Sequence, residues 1–222
     1  MLVTPPARTG DAAAIRLWNS DGSEPEISGN GTRCAAAVLV DAGLFHSEVN
    51  IRTGAGLKYL RTLERNGTAF LFEMNMGAPV INDLRRELPL SSGRREGTIV
   101  DVGNPQCAVF TDNFAFDWRV VGAEIESHPM FPERTNVSFV RAVDHHTIDV
   151  RFYERGAGVT MSSGTGSTGA AAAAVARSLV SSPVTVLTPA GPLQTRWEQG
   201  SILLTGPAEI IATGSFYFAE QS

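Results

Sequence analysis

The stretch 28-SGNGTRCAAAVL-39 has an echo in the same chain, 163-SGTGSTGAAAAA-174. Each begins Ser-Gly-polar-Gly, passes through a polar step and enters an alanine-rich run. A serine hydroxyl followed by such a run marks a helix N-terminus, because the hydroxyl caps the first turn and alanine costs least in the turns that follow. The pattern predicts one helix over 32–43, closed by Gly43, and another over 167–180, closed before Ser181-Ser182-Pro183.

Working outward from these loops, the chain reads as strands. The segments 14–18, 49–53, 57–64, 68–74, 98–103, 107–110, 136–143, 147–154, 184–188, 193–198, 201–206 and 209–214 are short and rich in Val, Ile, Thr or aromatics. Three pairs read as hairpins: 57–64 with 68–74 across Asn66-Gly67, 136–143 with 147–154, and 193–198 with 201–206 across Gln199-Gly200. A short helix is expected near 119–126, and residues 80–97 read as a loosely polar join. Two strand-rich halves with one buried helix each predict an internal duplication. The expected class is α+β, with lobes at 1–81 (plus 210–222) and 82–209.

Composition removes several functions. The chain has 222 residues, 43% of them hydrophobic, and a net charge of −5, which disfavours nucleic acid and acidic membranes as partners. Cys34 and Cys107 are too few for a disulfide framework, and no apolar run reaches the ~18 residues needed to cross a bilayer. With no secretory signal ahead of the first motif, a cytoplasmic protein is expected. Both cysteines are expected to be buried packing residues. His145 and His146 point to different sides of a turn, so no metal site is expected. The loop 164-GTGSTG-169 matches the dinucleotide fingerprint formally, yet no Asp or Glu stands between Glu154 and Glu198 to hold a ribose. No cofactor is expected.

Helix N-termini remain. Each carries unpaired N–H groups and about half a positive charge, which suits a carboxylate. Two such termini facing one another would hold one carboxylate and leave Ser28 and Ser163 on either side of the adjacent carbon. The plainer alternative is two ordinary serine caps.

The blocks 19-NSDGSEPEISGNGTRC-34, 74-MNMGAP-79, 101-DVGNPQC-107, 128-HPMFPERTNVSFV-140, 153-YERGAGVTMSSGTG-166, 189-PAGPL-193 and 205-TGPA-208 run over almost the whole chain. In this order the sequence resembles the diaminopimelate epimerase family, the pyridoxal-independent amino-acid epimerases of lysine and peptidoglycan synthesis. The resemblance implies two pseudo-symmetric barrel-like domains, each around a central helix, with an amino-acid substrate between them. It implies proton transfer between two facing cysteines, which invert LL- to meso-diaminopimelate or a related amino acid. It also implies that Asn19, Asn104, Asn136 and Arg155 meet the distal end of the substrate. The reacting carboxylate would then lie on Gly29-Asn30 and Gly164-Thr165, with Glu154 close by. A homodimer is expected.

Three departures accompany the resemblance. Ser28 and Ser163 occupy the cysteine positions, and Gln106 occupies the position of the histidine that tunes the pKa. Some forty residues that precede the first motif in the family have no counterpart before Met1. A shortened amino-terminal part is expected to leave strands near 14–18 and 49–53 as unpaired edges, with part of the 32–43 helix uncovered. A helix terminus lowers a pKa by at most ~2 kcal/mol, about 1.5 units, which makes a thiol a useful base but not an alcohol. The family reaction is therefore expected to be weak or altered. The alternatives are a proton-shift isomerase that uses Glu154 as its acid/base, and an amino-acid-binding homologue that has lost the chemistry. Departure at Gln106 and Val159 as well fits natural divergence rather than a two-site Cys→Ser exchange.

Overall fold

A computed structural model describes residues 1–8, 11–19, 21–215 and 217. In chain order its elements are β1 (Leu2–Thr4), β2 (Ala13–Arg16), α1 (Gly29–Asp41), β3 (Glu48–Thr53), β4 (Gly56–Asn66), β5 (Ala69–Gly77), β6 (Val80–Leu90), β7 (Gly93–Asp101) and β8 (Pro105–Phe110). They continue with α2 (Trp118–Glu126), β9 (Asn136–Asp144), β10 (Thr147–Glu154), β11 (Gly158–Thr160), α3 (Gly164–Ala176), β12 (Val184–Thr188), β13 (Gly191–Glu198) and β14 (Ser201–Glu209). One curved sheet runs β1-β2-β3-β4-β5-β14-β13-β12-β10-β9-β8-β7-β6, with β11 attached to β10. The three expected hairpins form with antiparallel register. The fold is α+β and strand-rich, as expected.

Each long helix is the centre of an apolar cluster. Ala35, Ala36, Ala37 and Leu39 of α1 pack with Ile51, Leu60, Phe72 and Met74 of the first strands and Leu204 of β14. Ala170–Ala174 of α3 pack with Val100, Val140, Ile148, Val150, Phe152 and Val186. A third cluster sets α2 against Leu88, Cys107, Val109 and Phe139. Burying a side chain of Leu, Ile or Phe size stabilises by about 1.5–3 kcal/mol, so these clusters hold the helices in place. Alanine lets both helices sit close to the sheet.

Several expectations are corrected. Residues 80–97 are not a join: they lie in the β6–β7 hairpin. Its first strand, VINDLRRELPL, is solvent-exposed over most of its length, so it lacks the apolar alternation that announces a strand. The segment 209–214 is not a separate strand, because Glu209 ends β14 and residues 210–215 are irregular. Strands 14–18 and 49–53 are not unpaired edges: β2 lies between β1 and β3, and β3 between β2 and β4. The edge at this end of the sheet is the three-residue β1. Part of α1 is uncovered, with Cys34, Val38 and Asp41 exposed along one face. Cys107 is buried as expected, but Cys34 is exposed.

Both long helices start three residues ahead of the sequence reading, in their glycine-rich turns. They end alike. Gly43 N–H donates to Val40 O and Leu44 N–H to Leu39 O, each at 3.0 Å, while Gly43 takes φ +71°. In α3, Ser178 (φ +58°) plays the part of Gly43, with Ser178 N–H to Val175 O and Leu179 N–H to Ala174 O at 2.9 Å. A serine in the left-handed region gives no sequence warning, so α3 stops at Ala176 rather than 180. Among the described residues no helix is long and apolar enough to cross a membrane.

Candidate active site

The two glycine loops become N-termini of one shape. Ser28 (φ −130°, ψ 115°) and Ser163 (φ −135°, ψ 124°) are the caps. Ser28 Oγ accepts from Gly31 N–H at 3.1 Å, and Ser163 Oγ from Gly166 N–H at 3.0 Å. The following amides, of Thr32 and Ser167, donate to the carbonyls of Ser28 and Ser163 at 2.9 Å. Helix geometry then leaves the amides of Gly29, Asn30, Gly164 and Thr165 without an intrahelical acceptor.

These termini meet. A Cβ on Gly29 would lie 2.9 Å from Gly164 Cα, and one on Gly164 would lie 2.8 Å from Gly29 Cα. Glycine at both positions is what allows two backbones so close. A cavity of ≈ 120 Å³ opens over the junction. It brings together Ser28, Gly29, Asn30, Ser163, Gly164 and Thr165 with Asn19, Asn104, Asn136, Glu154 and Arg155. Every residue singled out in the sequence lines this space except Gln106, which stands behind it. Gln106 is buried against Gly169 and donates from Nε2 to Asn104 Oδ1 at 2.8 Å.

The remaining walls are set by local bonds. Asn19 Nδ2 donates to Ser23 Oγ at 3.0 Å within the turn that precedes α1. Asn136, at the start of β9, donates to Pro105 O at 2.9 Å and accepts from Arg155 N–H at 3.0 Å. The Arg155 guanidinium donates to Glu133 O at 3.1 Å and pairs with Glu26, which lies just ahead of α1. This pair spans the cleft. Asn30 Nδ2 also crosses it, donating to Ser162 O at 3.0 Å.

Chemistry is concentrated on one side. Ser163 Oγ–H donates to Glu154 Oε2 at 2.7 Å, and Thr160 Oγ1–H donates to Glu154 Oε1 at 2.6 Å. Burial pushes the Glu154 carboxyl up from its ordinary value, against the opposing effect of these two hydroxyls. A carboxylate with a raised pKa in hydrogen-bond contact with a hydroxyl is a candidate general base. Ser28 Oγ, by contrast, bonds to the Gly31 amide and, among the described residues, to no carboxylate. Among the described residues no cluster of three His, Cys, Asp or Glu side chains gathers to hold a metal.

Sequence reasoning missed Thr160, Glu26 and the pocket-lining Pro25, Ile27, Ala157 and Ser162. Thr160 reaches Glu154 through the β10–β11 pairing, which sets Glu154 opposite Gly158. A three-residue strand leaves too short a pattern to read. Glu26 carries no signal except its place beside the first glycine loop.

A strand-rich sheet that brings two capped helix N-termini to one polar cleft is a fold shared with solved epimerases and racemases. The chain matches the solved hydroxyproline epimerase of Agrobacterium vitis with a TM-score of 0.73 at 17% identity, over 94% of this chain and 72% of that one. The family profile described as diaminopimelate epimerase matches residues 1–82 and 98–211. Curated diaminopimelate epimerases agree: that of Halothermothrix orenii is 33% identical over 99% of this chain and 83% of its own length. Diaminopimelate epimerase 1 of a Nostoc species is 36% identical over 94% and 81% respectively. The chain belongs to the diaminopimelate epimerase family.

Proposed function

We propose that this chain binds diaminopimelate, or a closely related amino acid, and exchanges its α-proton mainly from one face. The carboxylate beside the reacting carbon would be held by the amides of Gly29, Asn30, Gly164 and Thr165. Asn19, Asn104, Asn136 and Arg155 would receive the distal end. The observation that carries the reading is the Ser163–Glu154 hydrogen bond, which has no counterpart at Ser28 among the described residues. As Ser163 Oγ takes the α-proton, its own proton passes to Glu154. The electron pair stays on the substrate carbon, next to a carboxylate stabilised by two helix termini. On the opposite face Ser28 has an O–H to give and no base to replenish or relieve it, so inversion would lag behind exchange. Gln106 would support Asn104 rather than tune a pKa.

The experiment is deuterium wash-in at the α-carbon of diaminopimelate, followed by NMR alongside the ratio of stereoisomers. The expected parent result is slow exchange with slower inversion. Ser28→Cys with Ser163→Cys should raise both, since a thiol at a helix terminus reaches the useful pKa range, and adding Gln106→His should raise them further. Exchange in the parent that Glu154→Gln leaves unchanged would sink the proposal. A second reading, a proton-shift isomerase with Glu154 as sole acid/base, draws on the same asymmetry and predicts exchange with no inversion in any variant. Ligand binding with no exchange at all would leave an amino-acid-binding homologue.

We also infer two lobes divided near residue 81. The separate apolar clusters of α1 and α3 support this, with β14 shared, since its Leu204 and Ala208 join the first cluster and its Ile202 the second. A homodimer is supported by the exposed Cys34 and Val38 face of α1 and is checked by sedimentation equilibrium; a monomer at all concentrations would exclude it.

A further inference from the structure

Arg33 is the member of the first glycine motif that the function above leaves unused. It lies one turn into α1 and is only 4% exposed. Its Nη2 donates to Asn30 Oδ1 at 2.7 Å and its Nε to Pro207 O of β14 at 3.2 Å. Its Nη1 is buried with no partner among the described residues. The ion pairs of the described residues do not include it, and it packs tightly on Gly206, where a Cβ would lie 3.0 Å from the guanidinium carbon. Burial lowers its pKa to about 10, which leaves it charged near neutrality.

A guanidinium buried without a carboxylate is costly, and its position near the positive end of α1 adds to the cost rather than relieving it. Two facts show what the charge does locally. Arginine only donates and the Ser162 carbonyl only accepts, so the amide of Asn30 between them has one possible orientation, Oδ1 to Arg33 and Nδ2 to Ser162 O. Asn30 is also a wall of the cavity and bears one of the four free amides. The buried charge therefore stands behind two helix N-termini that already carry partial positive charge.

We infer that Arg33 is the positioning and charge-setting residue of this site: it fixes Asn30 across the cleft and takes its counter-charge from the carboxylate of the bound amino acid. The inference rests on the reading of the four amides as a carboxylate seat. It makes a specific demand, that the cation be a burden on the empty protein and an asset once ligand is bound. A bracing residue would be an asset in both.

The test compares the parent with Arg33→Met and Arg33→Lys by thermal melting with and without diaminopimelate, and by calorimetric titration. The Met variant should melt no lower than the parent when empty, lose most of the ligand-induced rise, and bind about tenfold or more weakly. The Lys variant keeps the charge and loses one of the two acceptors, so it should recover part of the affinity. Should Arg33→Met not fold, Arg33→Gln retains a donor for Asn30 without the charge and reads the same difference. A variant that melts lower when empty yet binds like the parent would make Arg33 a brace and overturn the inference alone. A parent that binds no diaminopimelate would remove the carboxylate seat, and the inference with it.

Discussion

The two glycine loops are alike in backbone and unlike in company. Both caps have extended dihedrals, both accept from the third amide of their helix, and both leave two amides without an intrahelical acceptor. Ser163 bonds to a carboxylate with a raised pKa; among the described residues Ser28 meets none. The helices behind them differ in the same sense. Every residue of α3 from Gly164 to Ala174 is buried, whereas α1 exposes Cys34, Val38 and Asp41. The repeated Ser-Gly-x-Gly turn gives two helix N-termini of one shape, and side chains from outside it, Glu154 and Thr160, make their surroundings unlike.

The largest expected break in that comparison is Glu154→Gln. Removing a positioned base should lower α-proton exchange by about 10²- to 10⁴-fold, whereas Ser28→Ala should lower it far less. Glu154→Gln should not lower the melting temperature at neutral pH. Because burial holds the Glu154 pKa above its ordinary 4.5, the native state keeps this proton more tightly than the unfolded chain. Its contribution to stability therefore falls as pH rises from 4.5 through the native pKa. The amide has no such loss. Melting curves at pH 5 and pH 8 check this, and a parent-minus-variant difference that grows in the parent's favour with pH would contradict it. The same ionisation makes parent exchange rise with pH, with a midpoint above 4.5.

Symmetry itself is tested at the junction. Gly164→Ala places a Cβ 2.8 Å from Gly29 Cα, and backbone cannot give way as a flexible side chain can. The expected cost is about 1–3 kcal/mol, with loss of ligand binding, by denaturant titration and calorimetry. Gly29→Ala should match it. Gly214→Ala, which meets nothing within 4 Å, should stay within about 0.5 kcal/mol of the parent.

A smaller effect distinguishes the caps as caps. Ser28→Ala should cost about 1 kcal/mol through the lost Gly31 bond. Ser163→Ala should cost more, because it also removes the buried bond to Glu154, and should differ sharply in exchange. Equal exchange in the two variants would abolish the proposed asymmetry. The smallest effect is a labelling difference. A thiol reagent should modify exposed Cys34 in the native protein and spare Cys107, whose thiol is pushed up to about 12 by burial. Mass spectrometry of the peptides reads it, and both sites should react after unfolding.

How much of this was legible depends on range. The caps at Ser28 and Ser163, the three hairpins and the Gly43 stop are written in neighbouring residues, and the order of the motif blocks identifies the family. Strand β6 was missed because its side chains face solvent, and the end of α3 because Ser178 takes a conformation usually left to glycine. Cys34 was misassigned for a related reason: an alanine-rich helix has little polarity to mark its outer face.

The sequence by itself determined two helix N-termini of matching design and a strand-rich framework, and its motif blocks pointed to most of the residues that line the cleft. Turn chemistry, capping and strand periodicity act over a few residues, so a single chain displays them. Only the tertiary structure decided that Gly29 and Gly164 touch, that Thr160 and Ser163 share Glu154, that Glu26 faces Arg155, and that Arg33 is buried with no ion-pair partner among the described residues. Those relations join residues up to 135 positions apart, as Gly29 and Gly164 are (164 − 29). They arise from the way the sheet curves and carries its two helices together, and packing of that kind leaves no local pattern in the chain.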